Sequence, residues 1–181
     1  ELRELEEYSN EMPIKIKGEV DDNNIDKVVL YKNGSKYQTT DVDDGKFEYK
    51  VEIEEEGVYK FYAESLETGL FYSKSNMSNE VSTIYDITPP SNKIELDYPE
   101  ETNKKDFKLS GKVEPEITVK VYKDEDKVYD AESDSKGNFE IEKITLSEKN
   151  NSFTVEQVDK AGNSTVIKDK INVKWTAGSI N

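Results

Sequence analysis

Carboxylates clustered beside glycine turns are the first residues of this chain that could do chemistry. Asp41, Asp43 and Asp44 precede Gly45, Asp124 and Asp126 share a second turn, and Asp130, Glu132 and Asp134 alternate toward Gly137. Calcium takes roughly six to eight oxygen ligands, so Asp41, Asp43, Asp44, Asp130 and Asp134 are candidate calcium ligands. The same residue types also serve plain hairpin turns, where Asp and Asn oxygens accept from nearby backbone N–H groups. Neither cluster has the roughly twelve-residue loop closed by a bidentate Glu. Aromatic side chains are the second candidates. Residues 31–85 hold Tyr31, Tyr37, Phe47, Tyr49, Tyr59, Phe61, Tyr62, Phe71, Tyr72 and Tyr85. Strand parity turns Tyr62 outward if Phe61 points inward, and exposes one of Phe71 and Tyr72. Exposed rings beside carboxylates suit sugars, which makes Tyr62 and Tyr72 candidate carbohydrate contacts. Tyrosine also fits half-buried sheet surfaces with no ligand at all.

Other chemistries are excluded by what is missing. The chain has no histidine and no cysteine, which removes the Ser-His-Asp triad, the Cys/His nucleophile, the zinc finger and the disulfide framework. Glycoside hydrolysis needs two carboxyls at a fixed separation in a cleft, one with a raised pKa, whereas the acids here fall on wet strand faces and turns. No catalysis is expected. A Lys-to-Asn amide crosslink would need both residues on adjacent strands, buried together beside a carboxylate. Lys15, Lys17, Lys108 and Lys112 alternate with apolar residues and should face water, and Asn79 and Asn172 lie near strand ends, so the parity argues against it.

Positioning any of these groups falls to a chain of 181 residues with 40 acidic and 25 basic side chains, a net charge of -15. That balance disfavours nucleic acid and anionic membranes, which recruit Lys/Arg patches. No apolar run is long enough to cross a bilayer, and no signal peptide opens the sequence, which starts at Glu1 and reads as a piece of a longer polypeptide. Val, Ile, Leu and Phe number 42, enough for a folded chain with thin cores.

An internal repeat organises the chain. IKIKGEV at 14–20 stands against FKLSGKV at 107–113, KVVLYKNG at 27–34 against TVKVYKDE at 118–125, DDGKFEYKVEI at 43–53 against DSKGNFEIEKITL, and VYKFYAES at 58–65 against SFTVEQVD at 152–159. Gly18 pairs with Gly111, Tyr31 with Tyr122, Gly45 with Gly137, Phe47 with Phe139 and Phe61 with Val155. Within each copy apolar and polar residues alternate, as in Ile14-Lys15-Ile16-Lys17 and Val119-Lys120-Val121, the period of a half-buried antiparallel strand. Asn-Gly, Asp-Gly and similar turns interrupt the runs every 8 to 12 residues. The expected fold is all-β, two tandem β-sandwiches: residues 13–86, a short Pro-Pro linker at 87–92, residues 93–176, and a tail at 177–181. Residues 1–12 read as a helical turn or a leader from a preceding region. Ile14, Ile16, Val28, Leu30, Phe47 and Phe61 should form the first core, with Leu109, Val119, Val121, Phe139, Phe153 and Val155 forming the second. Trp175 should cap a core.

Asp159-Lys160-Ala161-Gly162-Asn163-Ser164 after an alternating strand, Gly137-Asn138-Phe139 opening another, and Asp86-Ile87-Thr88-Pro89-Pro90 before a new copy resemble the bacterial immunoglobulin-like domains strung along Gram-positive surface proteins and secreted glycoside hydrolases. The resemblance covers 88–175 and, more weakly, 13–85, where Ser65 to Gly69 replaces the Asp-Lys-Ala-Gly-Asn corner. It implies a non-catalytic extracellular module, at the cell surface or secreted, that acts as a spacer or stalk or in adhesion. The alternative is a carbohydrate-binding accessory module of a polysaccharide-degrading enzyme. Implied partners are other domains of the same polypeptide, with cell-wall polysaccharide or a surface protein beyond them. No cofactor is expected apart from calcium at the turns.

Overall fold

The computed structural model describes residues 1–22, 24–68 and 73–177, and every regular element among them is a β-strand. The chain divides into two compact units, Glu1–Ile87 and Thr88–Asn181. In the first unit the strands are β1 (Tyr8–Ser9), β2 (Ile14–Glu19), β3 (Lys27–Lys32), β4 (Ser35–Asp41), β5 (Lys46–Val51), β6 (Gly57–Thr68), β7 (Ser73–Met77) and β8 (Val81–Tyr85). In the second they are β9 (Glu95–Asp97), β10 (Glu101–Thr102), β11 (Asp106–Lys112), β12 (Thr118–Lys123), β13 (Asp126–Glu132), β14 (Asn138–Thr145), β15 (Asn150–Val158), β16 (Ser164–Val166) and β17 (Ile171–Trp175).

Each unit is a two-sheet sandwich. One sheet runs β1-β8-β6-β3-β4 with β7 also on β6, and its counterpart runs β10-β17-β15-β12-β13 with β16 on β15. The facing sheets are β2-β5 and β14-β11-β9. Burial alternates as the sequence demands: β2 reads buried, exposed, buried over Ile14 to Glu19, and β5 does the same from Phe47 to Val51. All twelve expected core residues are buried, and Trp175 packs at the edge of the second core. Lys15, Lys17, Lys108 and Lys112 are exposed, as their parity requires.

Three expectations need correction. Residues 1–12 are neither a helical turn nor a leader. Leu2 is 2% exposed within the first core and bridges Gly18, and β1 pairs in parallel with β8. The second unit repeats this, with Leu96 opposite Gly111 and β10 parallel to β17. ELRELEEYS at 1–9 is therefore the counterpart of ELDYPEET at 95–102, hidden in sequence because short, acidic strands carry little alternation. The equivalence of Phe61 with Val155 also shifts. Tyr31 faces Tyr62, and Tyr122 faces Thr154, so Phe61 corresponds to Phe153. Finally, Pro90 and Ser91 are not free linker. Pro90 is buried, Thr165 Oγ1 donates to its carbonyl at 2.6 Å, and Gln157 Nε2 donates to Ser91 O at 2.9 Å.

The hairpins show why particular residues sit at the turns. β3 and β4 join through Asn33 and Gly34, both left-handed, which matches the strand twist. The equivalent β12–β13 turn places Asp124 at φ 50° and Glu125 at φ 74°. A glutamate there holds a conformation in which glycine meets no Cβ penalty. Glu125→Gly is therefore expected to stabilise the second unit by about 0.5–1 kcal/mol, and Phe139→Ala, which truncates a 4%-exposed ring, to cost it about 3–5 kcal/mol. Urea unfolding of the full chain, followed by Trp175 fluorescence, checks both. A near-neutral Phe139→Ala would contradict the assigned core.

Candidate functional site

The acidic turns of the first unit are organised by their own backbone. Asp43 N–H donates to Lys46 O at 2.8 Å and Lys46 N–H returns to Asp43 O at 2.9 Å, with Asp44 and Gly45 at φ 48° and 73° between them. Asp41 Oδ1 lies 2.6 Å from Lys27 Nζ across the β3–β4 pair. In the second unit Asp130 Oδ2 sits 2.6 Å from Lys127 Nζ. Asp134 Oδ1 accepts Lys136 N–H at 2.8 Å and Asn138 N–H at 2.9 Å. The candidate calcium ligands are thus dispersed over separate turns and strands, and the carboxylates of Asp41, Asp130 and Asp134 each have a local partner. Among the described residues no group of three or more acidic side chains is arranged to hold a metal ion.

Asp134 belongs to a motif that occurs twice, Asp-x-x-Gly-Asn, at 134–138 and 159–163. In both, the Asp carboxylate accepts the backbone N–H and side-chain amide of the Asn. The Gly N–H donates back to the Asp carbonyl, at 2.9 Å for Gly137 and 3.2 Å for Gly162. Both glycines are left-handed, at φ 84° and 93°. Gly137 has no room for a side chain either, since a Cβ there would stand 2.1 Å from Val113 O.

Tyr31 and Tyr62 sit together on the outer face of the β6-β3-β4 layer. Tyr62 is half-buried and stacks on Tyr31 with ring centroids 4.8 Å apart and planes 8° from parallel. Tyr31 donates its hydroxyl to Glu64 Oε2 at 2.9 Å, which raises the phenol pKa. The second unit keeps the tyrosine–glutamate pair, Tyr122 to Glu156 at 2.7 Å, but has Thr154 in place of Tyr62. Nearby in the first unit, Lys32 Nζ lies 4.7 Å from the Tyr37 ring centroid and 5.9 Å from that of Tyr59. Phe71 and Tyr72 lie outside the described residues.

One constellation escaped the sequence argument. Asn151 is 2% exposed and shares a face of β15 with Phe153, Val155 and Gln157. Lys123, at the end of β12, places its amine 3.4 Å from Asn151 Oδ1. Alternation along Asn151-x-Phe153-x-Val155-x-Gln157 was the available signal, because a polar residue at core parity is the informative exception.

Two facing sheets with paired terminal strands, and with side chains that organise turns rather than a cleft, define an immunoglobulin-like sandwich module. Residues 85–174 match the family model of the bacterial Ig-like domain, and the first unit repeats the strand topology of the second. Among solved structures, the fibronectin(III)-like modules of Clostridium thermocellum CbhA share the fold at 15% identity and a TM-score of 0.59, covering 93% of this chain and 87% of that one. The BSP domain of a biofilm-associated protein aligns at 17% identity and a TM-score of 0.39, covering 95% of this chain and 29% of that one. No curated protein matches the sequence.

Asp134 yields a pH dependence. Backbone donation from Asn138, then its side-chain amide and the Lys136 N–H, hold the carboxyl below the ordinary aspartate value of 3.8. Its stabilisation is present above that value and lost as pH falls through the lower folded-state pKa. Asp134→Ala should lower the urea midpoint of the second unit at neutral pH and shrink the difference from wild type in acid. A difference that stays constant from pH 7 to about 2 would refute this reading.

Proposed function

We propose that this chain is a non-catalytic extracellular spacer or stalk segment, carrying load between other domains of the same polypeptide at a bacterial surface or in a secreted protein. The observation that supports it is the parallel pairing of a strand near the start of each unit, β1 or β10, with that unit's last strand, β8 or β17. Ile84 N–H donates to Glu7 O at 2.8 Å and Asp86 N–H to Ser9 O at 3.0 Å. Lys174 N–H donates to Glu100 O at 2.9 Å and Thr176 N–H to Thr102 O at 2.8 Å. Tension entering a unit at one end and leaving at the other pulls such strands past each other along their length. All the bonds between them are then loaded together, instead of opening one at a time. The acidic exterior keeps neighbouring segments apart and soluble.

Pulling the full chain by its ends should give two unfolding steps, each releasing about 300 Å of extended chain, as ~90 residues at about 3.4 Å each require. Thr176→Pro removes one donor of the second unit's terminal pair and should lower the force of one step while leaving the other in place. Two steps unchanged by that substitution would remove the support for a load-bearing role.

A carbohydrate-binding accessory role is the second reading, favoured by the Tyr31–Tyr62 stack beside Glu64. A sugar would lie on whichever ring face the stack leaves free. Loss of retention on polysaccharide gels for Tyr62→Ala, with urea stability unchanged, would support it. Equal migration of wild type and variant on every polysaccharide tried would reject it.

A further inference from the structure

The Lys123–Asn151 contact has the makings of a reaction site. Asn151 Oδ1 accepts two backbone N–H groups, Ser147 at 3.1 Å and Glu148 at 3.2 Å, while Nδ2 donates to Glu148 O at 2.6 Å. Lys123 Nζ approaches the same oxygen at 3.4 Å, contacts Ser147 Oγ, and lies 3.9 Å from Glu148 Oε1. The Lys123 side chain is 18% exposed, whereas every other ion-paired lysine among the described residues is at least 47% exposed, and the Glu148 side chain beside it is 69% exposed. An amine, a carboxamide whose oxygen faces two N–H donors, and a carboxylate thus meet at one end of the β12–β15 pair.

We propose that Lys123 and Asn151 join through an amide bond between Nζ and Cγ. Glu148 takes a proton from the lysine ammonium, and the freed lone pair forms the Nζ–Cγ bond. The negative charge gathering on Oδ1 is held by the Ser147 and Glu148 N–H groups, an arrangement of the oxyanion-hole type. A second Nζ proton passes to Nδ2 by way of the Glu148 carboxyl, the Cγ–Nδ2 bond breaks, and the departing ammonia takes up the proton that Glu148 still holds and leaves as ammonium, which returns Glu148 to its carboxylate. The chain loses one ammonia and one positive charge, with no oxidant or co-reactant.

The first unit supplies a built-in contrast. Lys32 and Tyr59 occupy the equivalent places, and the Tyr59 hydroxyl donates to Glu55 O at 2.7 Å, so the loop is still clamped but no carboxamide is present. One crosslink per chain is therefore expected, closing the loop that contains β13 and β14.

Intact-mass spectrometry of the purified full chain tests this, with the expected mass ~17 Da below that of the linear sequence. Tryptic digestion should yield a branched peptide linking Lys123 to Asn151. Lys123→Arg and Glu148→Gln should both restore the full mass, and Asn151→Asp should lose ~18 Da, a water in place of ammonia. Lys123→Arg should also lower the melting temperature by on the order of 10 °C or more, because the closed loop no longer restrains the unfolded chain. A wild-type mass equal to that of the linear sequence after prolonged incubation at pH 7 to 9 overturns the proposal. So does a ~17 Da loss that persists in Lys123→Arg, since an asparagine cyclising to succinimide elsewhere gives the same mass.

Discussion

Both sandwiches depend on a glycine placed opposite a phenylalanine. Gly18 on β2 faces Phe47 on β5, and Gly111 on β11 faces Phe139 on β14. Each ring folds over the bare Cα of its partner: a Cβ on Gly18 would stand 2.2 Å from Phe47 Cζ, and one on Gly111 2.9 Å from Phe139 Cε1. The other neighbour is the first extended segment of the unit. The same Cβ would lie 2.7 Å from Glu1 O in the first copy and 2.2 Å from Glu95 O in the second. One missing methyl thus lets an aromatic ring cover the sheet and lets the opening segment lie against it. From there that segment crosses to the opposite sheet and pairs in parallel with the last strand. The closed topology, and the shear geometry it gives the ends, follow from that close approach.

Much of this was legible in the residues. Alternation assigned every core position named from sequence, because a strand with one wet face has no other way to distribute its apolar side chains. The glycine and phenylalanine repeats were also visible as letters, but that they touch depends on cross-strand register, which a list of similarities does not carry. The opening strands were missed for a related reason. Segments such as Tyr8–Ser9 and Glu101–Thr102 are held by backbone bonds to β8 and β17, and two residues leave almost no trace of period two. The aligned pair Phe61 and Val155 failed because alternation matches equally well two residues along, so only pairing with β3 and β12 distinguishes Phe153 as the true counterpart.

The acidic turns illustrate how one composition serves two chemistries. Carboxylates beside glycine can surround a cation, but here Asp134 and Asp159 are consumed by an asparagine four residues on, and Asp41 and Asp130 by lysines. The Asp-x-x-Gly-Asn pattern encodes this fully. The glycine takes the left-handed turn, the asparagine donates twice, and the carboxylate replaces the missing ladder partners. Read as a motif rather than a count of acids, it specifies a self-satisfied turn.

The two copies part company where they meet the same structural need with different side chains. Each must tie the loop that precedes its central strand, β6 or β15, back to the sandwich. In the first unit Tyr59 does so with a hydroxyl at the end of a ring that also lies near Lys32. In the second Asn151 does so with a carboxamide, and because the side chain is short the partner lysine is drawn down to it instead of over a ring. A phenol in this position can only clamp. A carboxamide clamps as well, and the two N–H groups it accepts polarise a carbonyl whose oxygen lies 3.4 Å from the lysine amine. The reactive geometry therefore comes from solving a packing problem with a smaller residue, and it needs no cleft, metal or cofactor.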